Sequence, residues 1–135
     1  WLIIKNLIRF KKRTIHFDLD GKKYNARAMN FVVANAKYFG SGLGISPDSN
    51  VTDGMLEVIV IGDLNIFEYL YFVPKVRKCK KLSFHKIQYY SAKKISIETE
   101  VPMPIDMDGE FVGFSPMSIS LQHKINVVVR NDREV

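Results

Sequence analysis

The sequence predicts a mainly β fold: an antiparallel β-sandwich, or an open barrel, with one or two helices. Three observations predict it. Apolar and polar side chains alternate over several short stretches, the period of a half-buried strand. Asp-Gly pairs, which accept the backbone of a tight reversal, stand at Asp20-Gly21 and Asp108-Gly109. Only two segments carry a helical spacing instead. The chain has 135 residues, the size of one domain or of one piece of a larger protein.

Residues 1–10 place Leu2, Ile3, Ile4, Leu7, Ile8 and Phe10 three and four apart, which predicts a helix packed on one side and ended by Lys11, Lys12 and Arg13. From Thr14 the period changes. Ile15, Phe17 and Leu19 alternate with Thr14, His16 and Asp18, and after Asp20-Gly21 the segment Tyr24 to Asn35 forms the return strand or strands. Gly40 to Met55 has no period and holds four glycines in sixteen positions, so it reads as a long loop. Leu56 to Ile61 (LEVIVI) is a β-branched run suited to a buried strand. Asn65 with Glu68 three residues on is a capping-box signal, because each side chain can take a free backbone N–H at a helix start. Ile66, Phe67, Leu70, Tyr71 and Val73 continue that helix, which Pro74 is expected to kink or shorten. Further strands are expected at Ile87 to Tyr90, Lys94 to Thr99, Pro104 to Met107, Met117 to His123 and Ile125 to Val129. No internal repeat is present.

Composition narrows the function classes. Apolar residues at 47% and charged residues at 25% exclude a disordered or fibrous chain. Apolar runs stop at four or five residues, against roughly 20 for a bilayer span. A start at Trp1 without Met or a signal peptide suggests a trimmed segment. A single cysteine, Cys79, makes no internal disulfide and suits a reducing compartment. The net charge of +6 is clustered: Lys11, Lys12 and Arg13 form one run, and Lys75, Arg77, Lys78, Lys80 and Lys81 fill five of seven positions in another. Each run suits a polyanion or an anionic membrane face, or simply the negative C-terminal end of a helix.

The residues that could carry chemistry are few. His16, His85 and His123 show no ligand spacing, and Cys79 sits among lysines without a redox or metal motif. Gly40, Gly42 and Gly44 alternate, which allows close backbone approach to a ligand or forms a flexible turn; neither the P-loop nor the dinucleotide-binding spacing is present. In Asn50-Val51-Thr52-Asp53-Gly54-Met55 a carboxylate stands among free carbonyls. That set suits a hard cation such as Mg²⁺, or a turn leading into LEVIVI. Asp106, Asp108 and Glu110 alternate within IDMDGEF. They are expected to share one strand face, or to converge at the tip of an Asp108-Gly109 turn as a compensated anionic site or an exposed acidic hairpin.

In order and spacing, these pieces resemble a family. Gly40-x-Gly42-x-Gly44-Ile45-Ser46-Pro47, then Asp53-Gly54-Met55-Leu56-Glu57-Val58, then Asp108-Gly109-Glu110 and Pro116 look like the C-terminal domain of the lipid kinases related to diacylglycerol kinase and sphingosine kinase, over Thr14 to Val129. The resemblance implies an upstream nucleotide-binding α/β domain and a cleft in which the γ-phosphoryl of ATP passes to a lipid hydroxyl. It implies that Glu110 is the proton acceptor of bacterial members and that Asp108, Gly109 and Glu110 face the nucleotide. It places Gly42 and Gly44 at the substrate, and Asp53 on a structural Mg²⁺ with carbonyls from Asn50 and Met55. Implied partners are ATP as co-substrate, a lipid alcohol and an anionic membrane surface, in a peripheral, cytoplasmic protein compatible with a homodimer. The sequence departs from the pattern in two places. No Gly-Gly-Asp-Gly-Thr loop occurs here, so the chain alone is expected to be inactive, and the glycine loop reads Gly-Ser-Gly-Leu-Gly. The alternative is a non-catalytic β-module that binds anionic membranes or other polyanions through its basic runs. Nucleic acid is not expected, because Phe84, Tyr89 and Tyr90 fit strand positions and no RNA-binding motif accompanies them.

Overall fold

The computed structural model describes residues 13–40 and 42–122. The helix expected over 1–10, with Lys11 and Lys12, and the strand expected at Ile125 to Val129 lie outside them. Nine strands and one helix follow in order: β1 (Arg13–Leu19), β2 (Lys22–Ala28), β3 (Asn30–Ala34), β4 (Leu56–Ile61), α1 (Ile66–Arg77), β5 (Ile87–Ala92), β6 (Lys94–Thr99), β7 (Pro104–Met107), β8 (Glu110–Phe114) and β9 (Met117–Ser120).

The strands form two facing antiparallel sheets and a separate ribbon. The first sheet has the order β2-β1-β6-β9, the second β3-β4-β5, and among the described residues β7 pairs only with β8. Alternation in β1 sends Ile15, Phe17 and Leu19 inward, where they meet Ala28, Leu56, Val58, Val60, Ala92 and Ile95 in one buried core between the sheets. Among the described residues no sheet closes into a barrel, so the sandwich alternative holds.

Strand β4 explains why LEVIVI, after Glu57, is a continuous apolar run rather than alternating. Val58 and Val60 face the first sheet, while Ile59 on the other side packs with Leu64, Phe72, Leu82 and Ile87 beneath α1. A strand covered on both faces needs no polar side. The molecule is therefore layered: sheet, sheet, helix. Helix α1 starts as its capping box requires: Asn65 Oδ1 accepts the Glu68 N–H at 2.9 Å, and Glu68 Oε2 accepts the Asn65 N–H at 2.7 Å.

Several expectations change in detail. The return segment after Asp20-Gly21 starts at Lys22 and breaks at Met29 into β2 and β3. Pro74 does not shorten α1, which runs on to Arg77. The carbonyl that Pro74 cannot pair belongs to Leu70, and both residues are exposed, so water can serve it. Strand β5 extends to Ala92, and β9 ends at Ser120 rather than at His123. Strand β8 was not anticipated. Its exposed Phe111, Val112 and Phe114 show no alternation with polar residues.

Candidate functional site

Two turns share one sequence type, and comparing them locates the candidate site at the second. Asp18-Leu19-Asp20-Gly21 joins β1 to β2, and Asp106-Met107-Asp108-Gly109 joins β7 to β8. Both adopt the same backbone. Asp20 and Asp108 have φ of 51° and 53°, Gly21 and Gly109 have φ of 90° and 93°, as a two-residue hairpin loop requires. In both, the first carboxylate closes the turn: Asp18 Oδ1 accepts the Gly21 N–H at 2.7 Å, and Asp106 Oδ1 accepts the Gly109 N–H at 2.9 Å.

Their second carboxylates differ. Asp20 accepts the Lys93 N–H at 3.0 Å and the Lys94 N–H at 2.8 Å, tying its turn to the β5–β6 connection. The Lys93 and Lys94 amides hold its carboxyl below the usual carboxylate value. Asp20 is thus committed to structure. Asp108 and Glu110 accept no hydrogen bond from any described residue, and both are exposed at the tip of the ribbon.

Among the described residues, hydrogen bonds anchor the ribbon at its base. Ser115, which is buried, donates its N–H to the Met103 carbonyl at 2.9 Å and accepts the Met103 N–H through Oγ at 2.8 Å. Thr99 Oγ1 bonds the same hydroxyl. Arg13 donates to the Pro102 carbonyl at 2.8 Å, which accounts structurally for one member of the first basic run. Beyond that base, Met107, Phe111, Val112 and Phe114 are exposed, with the Phe111 and Phe114 rings edge to face at 5.2 Å.

Register corrects the expected convergence of three carboxylates. Asp106 pairs with Phe111 and Met107 pairs with Glu110. Neighbouring positions point to opposite faces, so Asp106 and Glu110 lie on opposite sides of the ribbon. Only Asp108 and Glu110 remain as candidates at the tip. The pairing, hydrogen bonds and ion pairs of the described residues do not join this tip to the glycine segment, which packs elsewhere.

That segment contacts the C-terminal end of α1. Phe39 and Leu43 exchange backbone hydrogen bonds at 3.0 and 3.1 Å around an exposed bend that contains Gly42, φ 84°. Gly44 donates its N–H to the Val76 carbonyl at 3.1 Å. A Cβ on Gly44 would stand 2.5 Å from Cys79 Cβ and 2.6 Å from Cys79 Cα, closer than real contacts allow. Packing against Cys79 is therefore sufficient reason for a glycine there.

The Asn50 to Met55 loop is closed by its own polar groups. Asn50 Oδ1 accepts from the Thr52 N–H and hydroxyl, at 3.1 and 2.8 Å, and the Asn50 carbonyl accepts the Asp53 N–H at 3.3 Å. Asp53 Oδ1 accepts the Met55 N–H at 2.8 Å. Its other oxygen and the spare carbonyl lone pairs are hard donors of the kind Mg²⁺ prefers. No group of three or more His, Cys, Asp or Glu side chains suited to a metal occurs among the described residues. In the second basic run, Lys81 pairs with Asp48 and Lys75 lies over the Tyr71 ring, while Arg77, Lys78 and Lys80 are exposed.

The described residues thus form a sandwich with one helix-covered sheet and an exposed ribbon that carries Asp108 and Glu110 at its tip. Residues 1–129 match the YegS C-terminal NAD kinase beta sandwich-like domain, and the chain belongs to that family. It is 23% identical over 120 residues to a Bacillus subtilis diacylglycerol kinase, covering 88% of this chain and 40% of that protein. A solved Bacillus anthracis protein assigned as a diacylglycerol kinase shares 27% identity at a TM-score of 0.68, over 88% of this chain and 39% of its own. A Bacillus anthracis diacylglycerol kinase structure superposes with a TM-score of 0.64 at 22% identity, over 88% and 43%. The resemblance to lipid-kinase C-terminal domains is thereby borne out. The chain spans about two fifths of the length of the relatives it matches. Among the described residues no helix is long and apolar enough to cross a membrane.

Proposed function

We propose that this chain is the C-terminal β-sandwich domain of an ATP-dependent lipid kinase, which transfers the γ-phosphoryl group to a diacylglycerol-like or sphingoid hydroxyl. One observation carries the reading. Of two identical Asp-x-Asp-Gly turns, one has its second carboxylate captured by backbone amides, while the other presents Asp108 and Glu110 unengaged on an anchored arm.

Phosphoryl transfer asks little covalent chemistry of a protein; it needs in-line positioning, charge compensation and a carboxylate that orients or deprotonates the attacking hydroxyl. Glu110, beside the turn, accepts the hydroxyl proton in this reading. Asp108, held at φ 53° by the turn, orients groups on the nucleotide side of the cleft. The exposed Phe111 and Phe114 fit burial against a partner lobe that supplies most of the ATP contacts. Gly42 serves the substrate side through its open backbone, whereas Gly44 acts by seating the loop on α1.

Asp53, with the Asn50 and Met55 carbonyls, would hold a Mg²⁺ ion. Its contribution when bound is structural: positive charge that fixes the loop leading into β4.

The test is ATP-dependent phosphorylation of diacylglycerol and of a sphingoid base by the longer protein carrying Glu110→Gln or Asp108→Asn. Glu110→Gln is expected to lower turnover by about 10²- to 10⁴-fold with an unchanged melting temperature. Wild-type turnover in both variants would remove their assigned roles.

A further inference from the structure

Helix α1 is apolar on two opposite sides. Its inner side is accounted for: Phe72 is buried with Ile59, Leu64, Leu82 and Ile87, and Val76 packs beside them. Its outer side carries Phe67, Leu70 and Tyr71, exposed by 80%, 53% and 64%, followed by exposed Pro74 and Lys78. These positions follow the spacing of a single stripe along the helix. A water-facing side ordinarily carries polar residues, and packing among the described residues gives no reason for this one.

Charge around the stripe indicates what covers it. Glu68 is the only acid on the helix. It is closed by the Lys86 ammonium at 2.8 Å and by the Asn65 N–H, and the Lys86 contact holds its carboxyl below the usual value. The far end is cationic: Lys75, Arg77 and Lys78, with Lys80 beyond. Lys75 places its ammonium over the Tyr71 ring, with Nζ 4.2 Å from the ring centre, and donates to the Tyr71 hydroxyl at 3.1 Å. A cation held on an aromatic face keeps charge and apolar surface side by side at the edge of the stripe. Beside the stripe runs a groove of about 450 Å³, with walls that include Phe67, Tyr71, Phe72 and Phe84 and with Lys75 among its lining residues.

We propose that the outer side of α1 docks on an anionic bilayer: Phe67, Leu70 and Tyr71 enter the headgroup boundary, and Lys75, Arg77 and Lys78 meet the lipid phosphates. Apolar area and basic rim act together, because neither a few aromatics nor a few cations alone holds a protein firmly at an interface. A membrane partner accords with the kinase reading, but the surface uses none of Asp53, Asp108 or Glu110, so vesicle binding and lipid phosphorylation can fail separately.

The experiment is sedimentation of the full chain with phosphatidylcholine vesicles, with and without one third phosphatidylglycerol. The chain binds the anionic vesicles, and Phe67→Ser with Leu70→Ser weakens binding by about tenfold or more, at an unchanged melting temperature because both residues are exposed. Val51→Ser, an exposed apolar site elsewhere, leaves binding unchanged. In a Trp1→Phe background, Phe67→Trp is quenched by lipids brominated along the acyl chain. Wild-type binding by the Phe67/Leu70 double variant, or no quenching at position 67, overturns the proposal. So does a dimer of the wild-type chain that Phe67→Ser and Leu70→Ser dissolve, because the stripe would then cover a second copy.

Discussion

The turns at Asp20-Gly21 and Asp108-Gly109 share their sequence pattern, their backbone angles and their first hydrogen bond, yet they end in opposite circumstances. The first closes a hairpin whose inner face lies in the core, and its second carboxylate fastens two distant connections together. The second closes a ribbon that, among the described residues, pairs only with itself, with the Asp108 and Glu110 carboxylates and the aromatic rings exposed. Local sequence decides how a chain reverses; what surrounds the reversal decides whether its charges are structural or available. This difference is the physical basis for assigning chemistry to the second turn.

The contrast is broken most severely in the core. Ile95→Ala removes a buried side chain shared by both sheets and should cost about 2–5 kcal/mol in urea unfolding. If its loss proves no greater than that of an exposed position, the sandwich is not the stabilising unit.

Acid unfolding separates the two turns next. Because the Lys93 and Lys94 amides depress the Asp20 carboxyl, its contribution is complete above the ordinary carboxylate range. It is lost as pH falls through the lowered folded-state value. Asp20→Asn is expected to reduce stability at neutral pH and to flatten its decline below about pH 4. Asp108→Asn, at an exposed side chain, should leave the melting temperature at neutral pH unchanged, and a melting-temperature series against pH checks the Asp20 effect directly.

The smallest effect falls on the arm. Phe111→Ser should change unfolding free energy by no more than about 0.5 kcal/mol, since the ring is already in water. A larger loss would mean that the ribbon is packed against the sandwich and is not an arm.

The order of elements was legible wherever one face of a strand is buried. Ile15, Phe17 and Leu19 reveal β1, and Asn65 with Glu68 reveals the start of α1, because in each case a local pattern and the tertiary environment agree. Strand β8 was hidden for the opposite reason: Phe111, Val112 and Phe114 are apolar residues in water, and no periodicity reports a surface reserved for something else. At the site, the Asp108-Gly109 bend was legible but the register was not. Placing Asp106 and Glu110 on opposite faces depends on which residue opposes which, and the alternation of carboxylates does not reveal that. The outward stripe of α1 was equally concealed. Phe67 and Leu70 fit a helical period whether they point inward or out.

The middle of the first sheet carries a consequence for how the molecule comes into being. Strand β1 lies between β2 and β6, and the Asp20 contact with Lys94 spans 74 residues of chain. A growing polypeptide can form the β1-β2 hairpin as soon as both strands are made, but the neighbour that completes the other edge of β1 emerges from the ribosome much later. Until then an unpaired strand with a greasy face stands open to other chains. Assembly of this domain is therefore paced by a late arrival, and its most vulnerable moment for aggregation comes before the sixth strand has been made.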